Sequence, residues 1–357
     1  VELVRKLDAD LIDGPYMLSH HPTRLARFVA QRVGIQAGQL VEVFLRQKEY
    51  EHILVWSDRL GILLAMLFKL ARMRRDVVVL TSYLASPRRA RVLRYLRVDS
   101  HMGAIICDGS KQVEVLNTRF GIPNDKLHLA LQGVDEQFWH SLDLPIENMI
   151  CSVGQQDRDY PTLVAAVRGL DLRVELVLGG VDAAVQTPSA IIGADVPSNV
   201  HIRTTCSKRE LRELCARARF VVIPTQDVDF AAGSTALKEA MAMGKAVIVT
   251  RSHGQIDYVR DGYNGIYVPP GDPAAFRTAI EYLVNHPDEA ERMGRAGQAM
   301  VEEQVTMDAY TAHLAAILTR QEVSVQSKES LADIQSQFAY TVSWVKDDRS
   351  FKDDNQT

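Results

Sequence analysis

The stretch Gly233-Ser234-Thr235-Ala236-Leu237-Lys238-Glu239-Ala240-Met241-Ala242-Met243-Gly244-Lys245-Ala246-Val247-Ile248-Val249-Thr250 decides how the chain is read. It reads as a tight loop, a short helix, a glycine stop and a buried strand. Ser234 suits an N-cap, which leaves the backbone N–H groups of Thr235, Ala236 and Leu237 unpaired at the helix start. Gly233 admits a ligand close to the backbone, and the helix dipole adds partial positive charge where those N–H groups converge. Glu239 lies about one turn further along the same helix. A diphosphate at the helix start would bring a neighbouring sugar or ribose hydroxyl within reach of that carboxylate. The stretch therefore reads as a nucleotide-sugar pocket.

Around it lie 357 residues, 46% hydrophobic and 24% charged, enough material for two domains. A formal net charge of −4 gives no global basic excess, which argues against nucleic acid as a partner. Cys107, Cys151, Cys206 and Cys215 show no C-x-x-C spacing. They read as buried thiols in a reducing, cytoplasmic compartment, with neither a zinc site nor a disulfide framework expected. No apolar leader is read ahead of the fold, and the apolar run Leu60 to Leu70 is too short to span a bilayer.

Read outward from the opening stretch, the chain alternates. Strands are expected at Ala9 to Asp13, His52 to Trp56, Val77 to Thr81, Gly103 to Cys107 and Leu127 to Leu131, with helices between them, the one after Cys107 capped by Ser110. A polar segment, Gln132 to Asn148, breaks the rhythm and marks a domain boundary. A second series of strands follows at Met149 to Val153, Arg173 to Leu178, Asn199 to Ile202, Phe220 to Ile223 and Gly265 to Val268, with helices at Lys208 to Ala218, Pro273 to Val284, Asp288 to Glu302 and Asp308 to Arg320. The expected fold class is α/β, two doubly wound Rossmann-like domains facing a cleft. The boundaries are 1–145, with its first strand missing, then 146–305, a helix at 306–321 and a polar, mobile tail at 322–357.

Ligands of such sheets bind beyond the carboxyl ends of the strands. Gly154 and Arg158 follow the first strand of the second half, and the Arg158 guanidinium suits a phosphate. His253 and Gly254 lie just past Val249 and can touch the same ligand. No G-x-G-x-x-G follows a strand and no G-x-x-x-x-G-K-[ST] is present, which disfavours a dinucleotide-dependent dehydrogenase and a P-loop enzyme. Asp227-Val228-Asp229 reads as a solvated loop in preference to a metal site, and His20-His21 has no partner at metal-ligand spacing. Lys69, Arg72, Arg74, Arg75, Arg88, Arg89, Arg91, Arg94 and Arg97 form a basic region that can rest on anionic lipid at the inner face of a membrane. The plainer reading is a solvated face whose arginine stems cover apolar surface.

Glu239 to Ile248, followed by Asp261-Gly262-Tyr263-Asn264-Gly265-Ile266-Tyr267-Val268-Pro269-Pro270-Gly271-Asp272, closely resembles the carboxyl-terminal half of retaining glycosyltransferases of family 4 (group 1), which have the GT-B fold. Gly133-Val134-Asp135 with Phe138, and Ser152-Val153-Gly154, support the resemblance, which is strong from Met149 to Gln304. It implies a hexosyltransferase-type enzyme that binds a nucleoside-diphosphate sugar in the second domain and an acceptor, a glycan, lipid or small molecule, in the first. It implies no cofactor and no metal, with the helix at 306–321 packing back toward the first domain. Carried over, Glu239 matches the second glutamate of the E-x7-E signature, expected on the donor ribose. Arg158 stands in for the basic residues on the diphosphate, and Gly233, Ser234 and Thr235 fall where the donor meets the helix start. The first signature glutamate is replaced by Ala231, so the catalytic residue is open, with Asp229 or Asp227 as nearby carboxylates. The paired glycines become His253-Gly254, and the following glutamate becomes Asp257. The alternatives are a catalytically silent nucleotide-sugar-binding protein and a GT-B epimerase. A phosphorylase lacks a convincing site for pyridoxal phosphate.

Overall fold

The computed structural model describes residues 2–19, 21–154, 157–178 and 196–320. Gln155, Gln156, His20 and the tail at 322–357 lie outside the described residues. The described chain begins with four helices, α1 (Glu2–Lys6), α2 (Gly14–Leu18), α3 (Arg24–Arg32) and α4 (Ile35–Arg46). Alternation then sets in with β1 (His52–Val55), α5 (Asp58–Leu70), β2 (Asp76–Thr81), α6 (Pro87–Leu96), β3 (Ala104–Cys107), α7 (Ser110–Thr118) and β4 (Leu127–Leu129). The second series is β5 (Met149–Val153), α8 (Tyr160–Val167), β6 (Arg173–Val177), β7 (Val200–Arg203), α9 (Lys208–Arg217) and β8 (Val221–Ile223). It continues through α10 (Ser234–Ala242), β9 (Val247–Thr250), β10 (Ile266–Val268), α11 (Pro273–Asn285), α12 (Pro287–Gln304) and α13 (Met307–Thr319).

Two parallel sheets result. The first runs β1-β2-β3-β4 in chain order, and the second runs β10-β9-β8-β5-β6-β7. Both have apolar residues on successive positions, as expected of strands covered on both faces. In the second sheet Met149, Cys151, Val221, Val247 and Val249 point into a core shared with Leu237 and Met241 of α10. Their neighbours Ile150, Val222 and Ile248 point the other way, toward Tyr160 and Leu163 of α8 and Phe276 and Ile280 of α11. The first sheet divides likewise. Val77, Val79 and Ile105 pack on Leu64 and Phe68 of α5, whereas Val78, Leu80, Ala104 and Ile106 meet Tyr310, Leu314, Ile317 and Leu318 of α13. The last described helix thus covers one face of the first sheet, and Lys6 of α1 ties to it by donating to the Asp308 carboxylate at 3.1 Å.

Local signals explain most helix starts. Ser57 caps α5, Asp272 caps α11, Thr306 caps α13, and Ser207 with Glu210 forms a complete capping box on α9. Three expectations are corrected. Ala9 to Asp13 is not a strand; Asp13 instead caps α2 by accepting the Tyr16 N–H. Ser234 and Ser110 are not caps but the first residues of α10 and α7, and Gly233 and Gly109 hold the cap positions. The unforeseen helix α8 starts at Asp159, whose side chain accepts the Thr162 N–H, with Pro161 in its first turn.

Candidate functional site at the switch point of the second sheet

The strands of the second sheet are laid down from β5 outward through β6 and β7, and then from β8 through β9 to β10 on the other side. The direction reverses between β5 and β8. Loops leaving adjacent strands at such a reversal diverge to opposite faces and leave a crevice at their carboxyl ends. Here the two loops are stitched together. Gln226 N–H donates to Asp157 O at 2.9 Å and Asp159 N–H to Pro224 O at 3.1 Å, an antiparallel bridge between Arg158 and Thr225.

Arg158 is therefore fixed at the crevice. Its Nε donates to Val153 O at 3.0 Å. A Cβ on Gly154 would run into its guanidinium, and one on Gly233 would lie 3.3 Å from Nη1 and 2.8 Å from Ile223 Cγ2. Two glycines with φ of +126° and +86° thus make room for one half-buried arginine at the start of α10. Burial lowers the Arg158 pKa, the signature of a cation held with little water around it. A second positive element faces the same place: Gly233 provides no side-chain cap, and the N–H groups of Thr235 and Ala236 have no acceptor among the described residues. Ser234 N–H donates to Ala231 O at 3.2 Å and Leu237 N–H, contrary to expectation, to Gly233 O at 3.0 Å. Together they form an anion site.

One turn along α10, Glu239 is half-buried and its carboxylate makes no hydrogen bond among the described residues. Burial pushes its pKa up to about 7, against the pull of Lys208 and Lys238. Lys238, its neighbour, is 2% exposed. The sequence did not single it out, although a lysine inside an apolar helix run is the kind of residue that needs a specific partner. That partner is across the cleft. Nζ donates to Gln132 Oε1 of the first domain at 3.4 Å and lies 5.5 Å from the Tyr258 ring centre. Burial brings its pKa down to about 8, and Asp108 is the leading charge that opposes this.

Asp108 opens the loop after β3 and is 6% exposed. It accepts from Gln112 Nε2 and, at 3.1 Å, from Gln132 Nε2, and burial raises its pKa. Beside it, Tyr83 of the first domain meets Phe230 of the second with ring centres 4.7 Å apart. Asp58, at the start of α5, binds Arg89 at 2.8 Å. The loops at the carboxyl ends of both sheets thus face one another.

The other sequence candidates divide. Thr235 is exposed at the second position of α10, and Ser234 is buried at the first. Gly254 is buried against the Phe230 backbone, where no Cβ fits, and its N–H donates to Val228 O at 2.8 Å. His253 is exposed, and both its backbone N–H and Nδ1 engage Asp227 Oδ1, at 3.0 and 2.8 Å. Those bonds hold Asp227 below the usual carboxylate range. Asp229 is exposed. Among the described residues, no three His, Cys, Asp or Glu side chains gather as they would around a metal ion, and no helix is long and apolar enough to cross a membrane.

Residues 137–300 match the family described as glycosyl transferases group 1. The chain is similar to the D-rhamnosyltransferase WbpZ of Pseudomonas aeruginosa, 32% identical over 139 residues, which are 38% of this chain and 35% of that protein. It is also similar to a D-inositol 3-phosphate glycosyltransferase of Thermobifida fusca, 31% identical over 98 residues, 28% of this chain and 22% of the other. The matches thus span about a third or less of these relatives' length. Among solved structures, Anabaena HepE in complex with UDP and glucose superposes with a TM-score of 0.68 at 16% identity, covering 82% of each chain. A sucrose-phosphate synthase from Thermosynechococcus elongatus gives 0.66 at 17% identity, covering 86% of this chain and 81% of the other. The architecture is that of GT-B glycosyltransferases, with two Rossmann-like parallel-sheet domains.

Proposed function

We propose that this protein transfers a hexosyl group from a nucleoside-diphosphate sugar to an acceptor hydroxyl, with retention of anomeric configuration. The observation that carries the proposal is Glu239, a half-buried carboxylate with no hydrogen bond among the described residues, one turn beyond a helix start that faces Arg158. A donor diphosphate fits between the Arg158 guanidinium and the first-turn amides of α10, and its ribose then reaches Glu239. The anomeric C–O bond breaks and the diphosphate leaves with the electron pair, stabilised by charge already in place, so no metal is needed. The acceptor oxygen attacks from the face the diphosphate vacates and passes its proton to the leaving phosphate oxygen. UDP-glucose, a ligand in one HepE structure, is the first donor to test.

Calorimetric titration with a panel of nucleotide sugars checks this reading. At least one should bind, and Glu239→Ala should weaken it by about 1–3 kcal/mol through the loss of a charged hydrogen bond. If no member of the panel binds, the proposal fails. A donor that binds and releases no nucleotide would favour a silent binding protein, a reading motivated by Ala231 in place of a glutamate. The acceptor side invites a second proposal. On α6, Val92, Tyr95 and Leu96 are exposed beside Arg91 and Arg94, a combination that suits an anionic lipid surface. Four buried free thiols favour the cytoplasmic side of such a surface.

A further inference from the structure

Asp257 belongs to the loop after β9, on the donor side, yet its partner is in the first domain. Its Oδ2 accepts the backbone N–H of Ser110 at 3.0 Å, 147 positions away in sequence. Ser110 is the first residue of the nine-residue helix α7, whose own cap position is Gly109 and offers no side chain. Asp257 therefore does from the opposite domain what an N-cap residue ordinarily does from within the chain segment, and its charge meets the positive end of the helix dipole. Gly109 makes the approach possible. A Cβ there would sit 3.3 Å from Asp257 Oδ2, 3.9 Å from Gly254 O and 4.0 Å from Ala231 Cβ.

Ala231 belongs to the same corner. A Cβ built on Gly109 would be 4.0 Å from Ala231 Cβ, so two small residues meet where the first domain's loop seats against the donor side. We propose that Asp257 is a positioning residue that latches the β3–α7 loop onto the donor domain, with Ala231 and Gly109 providing the space for it. Lys238, reaching Gln132 from α10, makes a second tie across the same cleft. The latch would hold Asp108 and the acceptor-side loops in register with the donor. Its effect on turnover rests on the transfer reading given above; its effect on domain closure does not.

Small-angle scattering of the full chain, without ligand, tests closure directly. Asp257→Ala should enlarge the radius of gyration, and Asp257→Asn, whose amide oxygen still accepts the Ser110 N–H, should restore much of the compact value. Gly109→Val attacks the same contact from the other domain and should reproduce the Asp257→Ala result, which guards against a local folding defect. With a bound donor identified, nucleotide release by Asp257→Ala should fall ~10-fold or more while the donor Kd stays within about twofold, as for lost alignment. Unchanged scattering in both Asp257→Ala and Gly109→Val overturns the latch. A fall in donor affinity that matches the fall in turnover also overturns it, making Asp257 a donor-binding residue. Failure of the parent chain to bind any nucleotide sugar would sink the transferase reading and leave the scattering result to stand or fall alone.

Discussion

Glu239 titrates where its charge decides what it can bind. Burial holds its pKa at about 7, against 4.5 for an ordinary glutamate. Ribose hydroxyls that donate to it favour the charged form, so donor affinity should rise between about pH 6 and about pH 8 and then level off. In Glu239→Gln that slope should vanish in calorimetry; a slope of equal size would remove Glu239 from the site. Stability runs the other way. Between those two pKa values the folded chain keeps a proton that the unfolded chain has lost, so this group's contribution to stability falls as pH rises through that window. Glu239→Gln should therefore melt higher than the parent near pH 8, with little difference near pH 4. Glu239 and Arg158 were legible in the sequence because each stands in a loop or helix start following a strand. Lys238 and Asp108 were not, because their burial comes from the meeting of two domains, and no local pattern records which loop faces which.

At the scale of elements, α10 starts without a side-chain cap because the cap position must turn sharply and stand clear of Arg158. Gly233→Ala tests this. Its φ of +86° is left-handed, and the new methyl would lie 2.8 Å from Ile223 Cγ2 and 3.3 Å from Arg158 Nη1. Destabilisation of about 1–2 kcal/mol is expected from the backbone alone, together with weaker donor binding as the helix start shifts. Unaltered melting and unaltered affinity would mean that the loop is not tuned to the arginine. The strands were readable because runs such as Val77-Val78-Val79-Leu80 suit a sheet covered on both faces. The helix starts were read less well. Serine is so common a cap that Ser110 and Ser234 were placed one position early, and only the fold reveals that α7 takes its cap from Asp257. The run Ala9 to Asp13 misled for a different reason: three apolar residues among aspartates have no strand to pair with once Asp13 turns the chain into α2.

At the scale of the molecule, two alternating series separated by a polar segment announced two parallel sheets, but not that β5 and β8 would be neighbours, which is what makes the crevice. The basic region is a property of this scale too, since its worth depends on which face the first domain turns outward. Tyr95 is 79% exposed on α6, next to Arg91 and Arg94. If α6 meets anionic lipid, the chain should float with vesicles containing phosphatidylserine and not with neutral ones, and salt should release it. Arg91→Glu with Arg94→Glu should abolish flotation, at ~1 kcal/mol per lost cation before repulsion is counted. Flotation that ignores lipid charge would discard the idea. The stitched loops at the switch point carry one more consequence, for how such a site can drift. Residues 224–226 are bonded to the β5 loop, whereas Val228 is bonded to Gly254 after β9. The long β8 loop is thus anchored in two places, and its far part, which holds Ala231, can change identity without loosening the bridge that holds Arg158. A lineage could exchange the residue at 231, and with it the way the domains meet, while inheriting the anion site intact.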